Sequence, residues 1–344
     1  MNKDNNIILE VRNLDVKFFQ DIGTVNAVNG ATFQLPEGKS IGIVGESGCG
    51  KTITAYSTIG LLPPGGKITN GEILYTQRDG SVVDTAQLRK DGKEIRSIRG
   101  RDISMIFQEP MTALSPVHTI YNQLSEMIRL HLDLNEKEIR ERSIELLQMV
   151  GIPAADKRID EYVFQLSGGM RQRVMIAMAL ASYPRILIAD EPTTALDVTI
   201  QAQVLKVIKD LQEKLSLSLI LITHDLGVVA HMVDYVYVMY LGRMVESGPV
   251  DQLLVEPLHP YTKGLLRSIP RVRGERQDRI DSIPGTVPDA YFLPQGCPFH
   301  SRCNELVGEI CKKEAPERVC VGSEHYVSCH IYSGSVNEGG AIDG

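Results

Sequence analysis

The sequence predicts an α/β fold, with a covered, largely parallel sheet, an antiparallel β layer near the N-terminus and a helical insertion in the middle. Three observations carry this reading. Apolar strands at 186–190, 219–223 and 235–239 are separated by helical stretches, the pattern of a parallel sheet shielded on both faces. Residues 40–44 form a short apolar strand that runs straight into a glycine-rich loop and a helix. From about 120 to 182 the strand signal disappears, and 121–131 and 136–150 have helical periodicity instead.

The elements follow in order. Residues 7–12 and 24–34 alternate apolar and polar side chains, which suits the antiparallel layer. Residues 51–62 read as the helix behind the glycine-rich loop, ended by Pro63-Pro64-Gly65-Gly66. Residues 71–76 and 103–107 read as further strands with a polar, hairpin-like stretch between them. Within the insertion (about 110–182), Asn135 followed by Glu138 predicts an N-terminal cap for the helix 136–150, and a further helix spans 170–182. Composition shifts near residue 250, where prolines multiply and an arginine-rich stretch runs through 267–279. That stretch reads as a solvated linker, because Glu275 and Asp278 interrupt it. The expected organisation is a main domain over 1–250, a smaller region over 251–332, and a disordered Gly/Ser/Asn-rich tail over 333–344.

Composition excludes some functions. The 344 residues carry a formal net charge of −7, which argues against a nucleic-acid partner because phosphate-binding surfaces are normally basic. No apolar run approaches the roughly eighteen residues of a membrane span. The polar start, Met1-Asn2-Lys3-Asp4-Asn5-Asn6, does not resemble a signal peptide. The expectation is a cytoplasmic chain whose membrane work passes through partners.

Four motifs carry chemistry. Gly45-Glu46-Ser47-Gly48-Cys49-Gly50-Lys51-Thr52 fits the phosphate-loop pattern G-x-x-x-x-G-K-[ST]. Its glycines let successive backbone N–H groups curl around one anion, and the helix behind it adds its positive end. Residues Gly45 to Ile53 are therefore the candidate ATP-binding stretch. Lys51 is expected on the β- and γ-phosphates and Thr52 on Mg²⁺. Asp190 ends a buried strand, where open α/β sheets place their ligands, and is a candidate Mg²⁺ contact through water. Glu191 beside it is the candidate base for the attacking water. Gln108, at the end of 103–107, is poised for Mg²⁺ or water, and His224, following Leu219-Ile220-Leu221-Ile222-Thr223, for the γ-phosphate.

The discriminating motif is Leu166-Ser167-Gly168-Gly169-Met170-Arg171-Gln172-Arg173. Ser167 and two glycines open a helix and create a second anion-binding N-terminus. A chain that already holds one phosphate loop would use this second site on a nucleotide bound by a partner.

These residues resemble those of ATP-binding cassette importer ATPases over 7–250. Residues 107–116 (FQEPMTALSP), 189–199 (ADEPTTALDVT) and 259–262 (HPYT) are similar to the dipeptide/oligopeptide and nickel permease branch. Ser115 stands where many relatives have asparagine. The resemblance implies an ABC-type P-loop NTPase fold and two subunits sandwiching two ATP molecules. Ser167, Gly168, Gly169, Gln172 and Asp197 would contact the partner's ATP. It also implies an aromatic stacked on the adenine, with Phe18 the choice and Phe19 the alternative. The implied partners are a second related ATPase subunit in a heterodimer, two integral membrane permease subunits and an extracytoplasmic peptide-binding protein. The chain would then sit peripherally on the cytoplasmic face of the membrane.

Five of the six cysteines fall between 297 and 329. Cys297, Cys303, Cys311 and Cys329 are separated by five, seven and seventeen residues, which matches neither a paired zinc pattern nor a ferredoxin pattern. Chemistry alone leaves zinc, an iron–sulfur cluster and free thiols open. The resemblance extends to permease ATPases that carry a [4Fe–4S] cluster on such a tail, with Cys320 as a spare thiol. A cluster there is expected to lie far from the nucleotide.

Three functions follow from these residues. One is the energy-coupling ATPase of a peptide importer, or of a nickel importer of the same family. Another is a soluble cassette ATPase of a different class, such as an iron–sulfur assembly factor. The third is a non-catalytic subunit, which the intact Glu191 and His224 oppose.

Overall fold

The computed structural model describes residues 6–109, 113–194, 196–268 and 283–334. Its strands are β1 (Ile7–Gln20), β2 (Gly23–Pro36), β3 (Ser40–Val44), β4 (Gly66–Thr76), β5 (Val82–Asp84), β6 (Ile103–Ile106), β7 (Ile186–Asp190), β8 (Ser218–Thr223), β9 (Tyr235–Tyr240), β10 (Arg243–Pro249), β11 (Arg318–Cys320) and β12 (Tyr326–Ser328). They fall into two compact units: residues 1–8, 35–40 and 87–222 form one, and 9–34, 41–86 and 223–344 the other.

In the first unit, β8, β7 and β6 lie side by side and parallel, with Asp190 opposite Ile222 and Ile106 opposite Ala189. All five residues of β7 and all six of β8 are buried. Burying each Leu or Ile side chain contributes about 1.5–3 kcal/mol, which is why these runs read as continuous apolar stretches. The insertion is helical as expected, with helices Ile120–His131, Glu136–Met149 and Gly168–Ala179. Asn135 accepts from the amides of Lys137 and Glu138 while Glu138 reaches back to the Asn135 amide, so the anticipated cap is a full capping box.

In the second unit, β2, β1, β4 and β5 make the antiparallel layer, in that order. A second sheet there runs β11, β12, β10, β9, β3. β3 and β9 are parallel, whereas β10 is antiparallel to both β9 and β12. The helix behind the phosphate loop is shorter than expected, Lys51–Thr58. It ends in a Schellman motif: the Leu61 amide donates to Tyr56 O and the Gly60 amide to Ser57 O, with Gly60 at φ 63°.

The two units do not follow the composition shift near residue 250. β12 pairs with β10, Val327 opposite Glu246, and knits the cysteine-bearing segment into the sheet of β9 and β3. The polar stretch before 103 contains β5 and the short helix Lys93–Ile98. Part of the arginine-rich stretch (269–282) and the tail from 335 onward lie outside the described residues, as do Pro110–Thr112 and Ala195 of the quoted motifs. Among the described residues no helix is long and apolar enough to cross a membrane.

Candidate functional site

The phosphate loop lies between β3 and the helix Lys51–Thr58, in the second unit. Its glycines are required by close approach. A Cβ on Gly45 would meet Met239 O at 2.2 Å, and one on Gly50 (φ 105°) would meet Ala27 O at 2.3 Å. The Lys51 ammonium is buried and donates to Gly45 O (2.8 Å) and Glu46 O (3.0 Å), so it is folded into the curl of its own loop. Cys49 packs beneath, its thiol pushed up by burial. Thr52 and Ile53 open the helix in its first turn.

Two bonds tie Glu46 to distant residues. Its amide donates to Tyr261 Oη at 2.8 Å, and its carboxylate receives both terminal nitrogens of Arg302 at 2.6 and 3.0 Å. The cysteine-bearing segment therefore reaches the nucleotide loop through Arg302, which immediately precedes Cys303. Tyr261 belongs to the HPYT motif, but no sequence signal links Arg302 to Glu46.

Phe18 and Phe19 lie near the end of β1. Phe18 is half-buried against Gly66, whereas Phe19 is exposed beneath the Lys67 ammonium, 5.8 Å from its ring centre. His224 is exposed just past β8, and the next residue, Asp225, caps the helix Leu226–Met232.

In the first unit, Asp190 is fully buried at the end of β7. Glu191 follows with φ 44°, a left-handed conformation that costs a non-glycine residue about 1 kcal/mol or more. Its amide donates to Ile222 O at 2.9 Å, and its Oε2 accepts from Gln108 Nε2 (3.2 Å) and Thr194 Oγ1 (3.0 Å). The structure therefore brings Gln108 and Glu191, 83 residues apart in sequence, together and adds Thr194.

The signature serine caps its helix: Ser167 Oγ accepts from the Met170 amide at 3.4 Å. Gly168 opens that helix, and Gly169 is demanded by packing, since a Cβ there would lie 2.6 Å from Ile200 Cγ2. Asp197 likewise caps Val198–Leu215 through the Thr199 and Ile200 amides. Gln172 has a setting different from the expected one. It is 1% exposed on the helix stripe shared with Met175, Ile176 and Ala179, so within this chain it presents nothing to a second subunit.

Cys297, Cys303, Cys311 and Cys329 line a single cavity with His259, Phe299 and His330. Burial raises the Cys303 and Cys329 thiols and pushes Cys297 up to about 11. Cys320 is exposed, outside this cavity, its thiol on Gly322 O. Among the described residues no three His, Cys, Asp or Glu side chains converge on one metal-ion position. A lone zinc would need four thiolates each about 2.3 Å from one point, and that arrangement does not fit these residues. A wider open cleft lined by Asp15, Lys17, Arg243 and Arg318 holds none of the motif residues.

Residues 28–194 match the ABC transporter family, and 245–311 match the oligopeptide/dipeptide transporter C-terminal region. The dipeptide transport ATP-binding protein DppD of Bacillus subtilis is 49% identical over 94% of both chains. The oligopeptide transport ATP-binding protein AppD of the same organism is 48% identical over 94% of this chain and 97% of its own. The dimeric post-hydrolysis structure of the ATP-binding cassette MJ0796 with ADP and Pi superposes with a TM-score of 0.61 at 26% identity, covering 70% of this chain and 98% of that one. The motifs, the fold and these similarities agree, and the chain belongs to the ABC transporter ATPase family, in the branch that carries the oligopeptide/dipeptide transporter C-terminal region.

Proposed function

We propose that this chain is the ATP-hydrolysing subunit of an ABC importer for di- or oligopeptides. The observation that carries the reading is Glu191: a carboxylate at a strand end, in a costly backbone conformation, aimed by Gln108 and Thr194. Strain of that kind persists where geometry serves chemistry.

In this reading the amides of Gly45 to Ile53 and the Lys51 ammonium take the phosphates, and Phe18 or Phe19 takes the adenine. Thr52, Asp190 and Gln108 are the Mg²⁺ contacts, and the ion neutralises charge on the phosphates. Glu191 orients and polarises the attacking water, and His224 bonds the γ-phosphate. Ser167, Gly168 and Gly169 serve the ATP of a second, related subunit, with Asp197 beside them. The relatives' names, peptide transport ATP-binding proteins, support two membrane permeases as partners and a peptide-binding protein outside, and with them the cytoplasmic face of the membrane. A [4Fe–4S] cluster held by Cys297, Cys303, Cys311 and Cys329, with zinc as the alternative, belongs to the same reading, and what supports it is that the four thiols line one cavity. Such a body supplies cross-linking to a proline-rich segment with little core of its own.

Binding of ATP to the purified chain tests the reading directly. The wild-type chain binds ATP and Lys51→Ala binds it more weakly; equal binding by both removes the phosphate loop from the account.

A further inference from the structure

Glu46 follows the first glycine of the phosphate loop and is held from two sides. Its amide points to Tyr261 Oη and its carboxylate to the guanidinium of Arg302. The Arg302 side chain is 4% exposed, against 27% for Glu46. Its third nitrogen, Nε, donates to Pro284 O at 3.0 Å, and the guanidinium lies 5.8 Å from the Tyr240 ring centre and 5.9 Å from that of Phe299. A guanidinium fixed by a fork on a carboxylate, a backbone carbonyl and two rings has one geometry available.

The same C-terminal stretch reaches a second place on the nucleotide-binding half. Ala290 O accepts from the Asn26 amide at 3.2 Å, Tyr291 Oη bonds the Gln20 side chain, and the Tyr291 ring lies 3.4 Å from where a Cβ on Gly23 would stand. Gln20 and Gly23 flank the turn that joins β1 to β2, immediately after Phe18 and Phe19. Ala27 of β2 in turn abuts Gly50 of the phosphate loop. One segment, 284–302, thus braces both the hairpin beside the candidate adenine aromatics and the start of the loop for the phosphates.

We propose that Arg302 is a positioning residue for ATP binding, acting through Glu46. It fixes the start of the phosphate loop and neutralises a carboxylate that would otherwise stand next to the incoming phosphates. This rests on the reading of residues 45–53 as the ATP site. The segment 284–302 is then a strap that sets nucleotide affinity from the C-terminal region. By linkage, bound nucleotide tightens the strap in return.

The test is ATP binding by the full chain, measured with turnover of the assembled transporter. Arg302→Gln is expected to weaken ATP binding about tenfold, the scale of one charge-assisted hydrogen bond. Turnover at saturating ATP is expected to stay within about twofold, because nothing at Glu191 changes. Arg302→Lys, which keeps the charge but loses the fork, is expected to lose about threefold. The double variant Arg302→Gln/Glu46→Gln is expected to bind no worse than Arg302→Gln alone, since the second change removes the carboxylate left uncompensated. Unchanged affinity in Arg302→Gln overturns the proposal, as does a double variant whose losses simply add. Should both Arg302 variants fail to fold, hydrogen exchange on the wild-type chain decides: ATP is expected to slow amides 299–303, and no slowing rejects the strap. A wild-type chain that binds no ATP overturns the site assignment instead.

Discussion

Gln108 donates a 3.2 Å hydrogen bond to Oε2 of Glu191, joining the ends of two parallel strands, β6 and β7. Because Thr194 donates to the same oxygen, Oε2 accepts two hydrogen bonds and the orientation of the carboxylate is fixed. On the proposed reading, Gln108 and Thr194 hold the carboxylate and the carboxylate takes the water proton.

That division of labour makes Glu191→Gln informative. The amide keeps the shape but loses the base, so ATP binding is expected to persist while turnover falls by about a hundredfold or more. A closed, ATP-bound dimer is expected to accumulate. Normal phosphate release by the variant transporter would remove Glu191 from its role.

Ser167→Arg separates binding in this chain from binding across a dimer. Arginine adds bulk and charge where the partner's phosphate belongs, so nucleotide-driven dimerisation is expected to fail while ATP affinity of the monomer hardly changes. The lost cap on Met170 is expected to cost about 1 kcal/mol of stability, readable as a lower denaturation midpoint. A large loss of monomer affinity contradicts the assignment to a second chain.

The capping box at Asn135 predicts a purely structural effect. Asn135→Ala leaves the Lys137 and Glu138 amides without their acceptor and is expected to destabilise the chain by about 1 kcal/mol. ATP affinity is expected not to move; a change in affinity contradicts a local role.

The proposed cluster predicts colour. Protein purified without oxygen is expected to be brown, with about four irons per chain. Serine at Cys297, Cys303, Cys311 or Cys329 is expected to bleach it, whereas the exposed Cys320→Ser keeps it. Colourless protein with one zinc per chain overturns the cluster.

The buried strands β3 and β7 were legible to the residue, because a continuous apolar run ending at a motif leaves no other register. The strand-end positions of Gln108 and Glu191 were legible too, but not the hydrogen bond between them. Three other features were not anticipated. The Lys51–Thr58 helix stops early because Gly60 closes a Schellman motif, ahead of the prolines that drew attention. Gln172 belongs to a signature usually read as a surface, yet helical periodicity puts it on the stripe of Met175 and Ile176. The Arg302–Glu46 pair spans 256 residues, and neither side chain carries a pattern that names the other.

Peptide uptake by reconstituted vesicles measures the central claim most directly. The chain would be purified with whatever membrane proteins and ATPase subunit the proposed complex brings with it, and placed with a peptide-binding protein and ATP on the appropriate sides. The account predicts that labelled peptide accumulates only with ATP, and that Glu191→Gln in this chain sharply reduces accumulation while the complex still forms. Accumulation that does not depend on ATP, or a chain that hydrolyses ATP but joins no membrane protein, would contradict it.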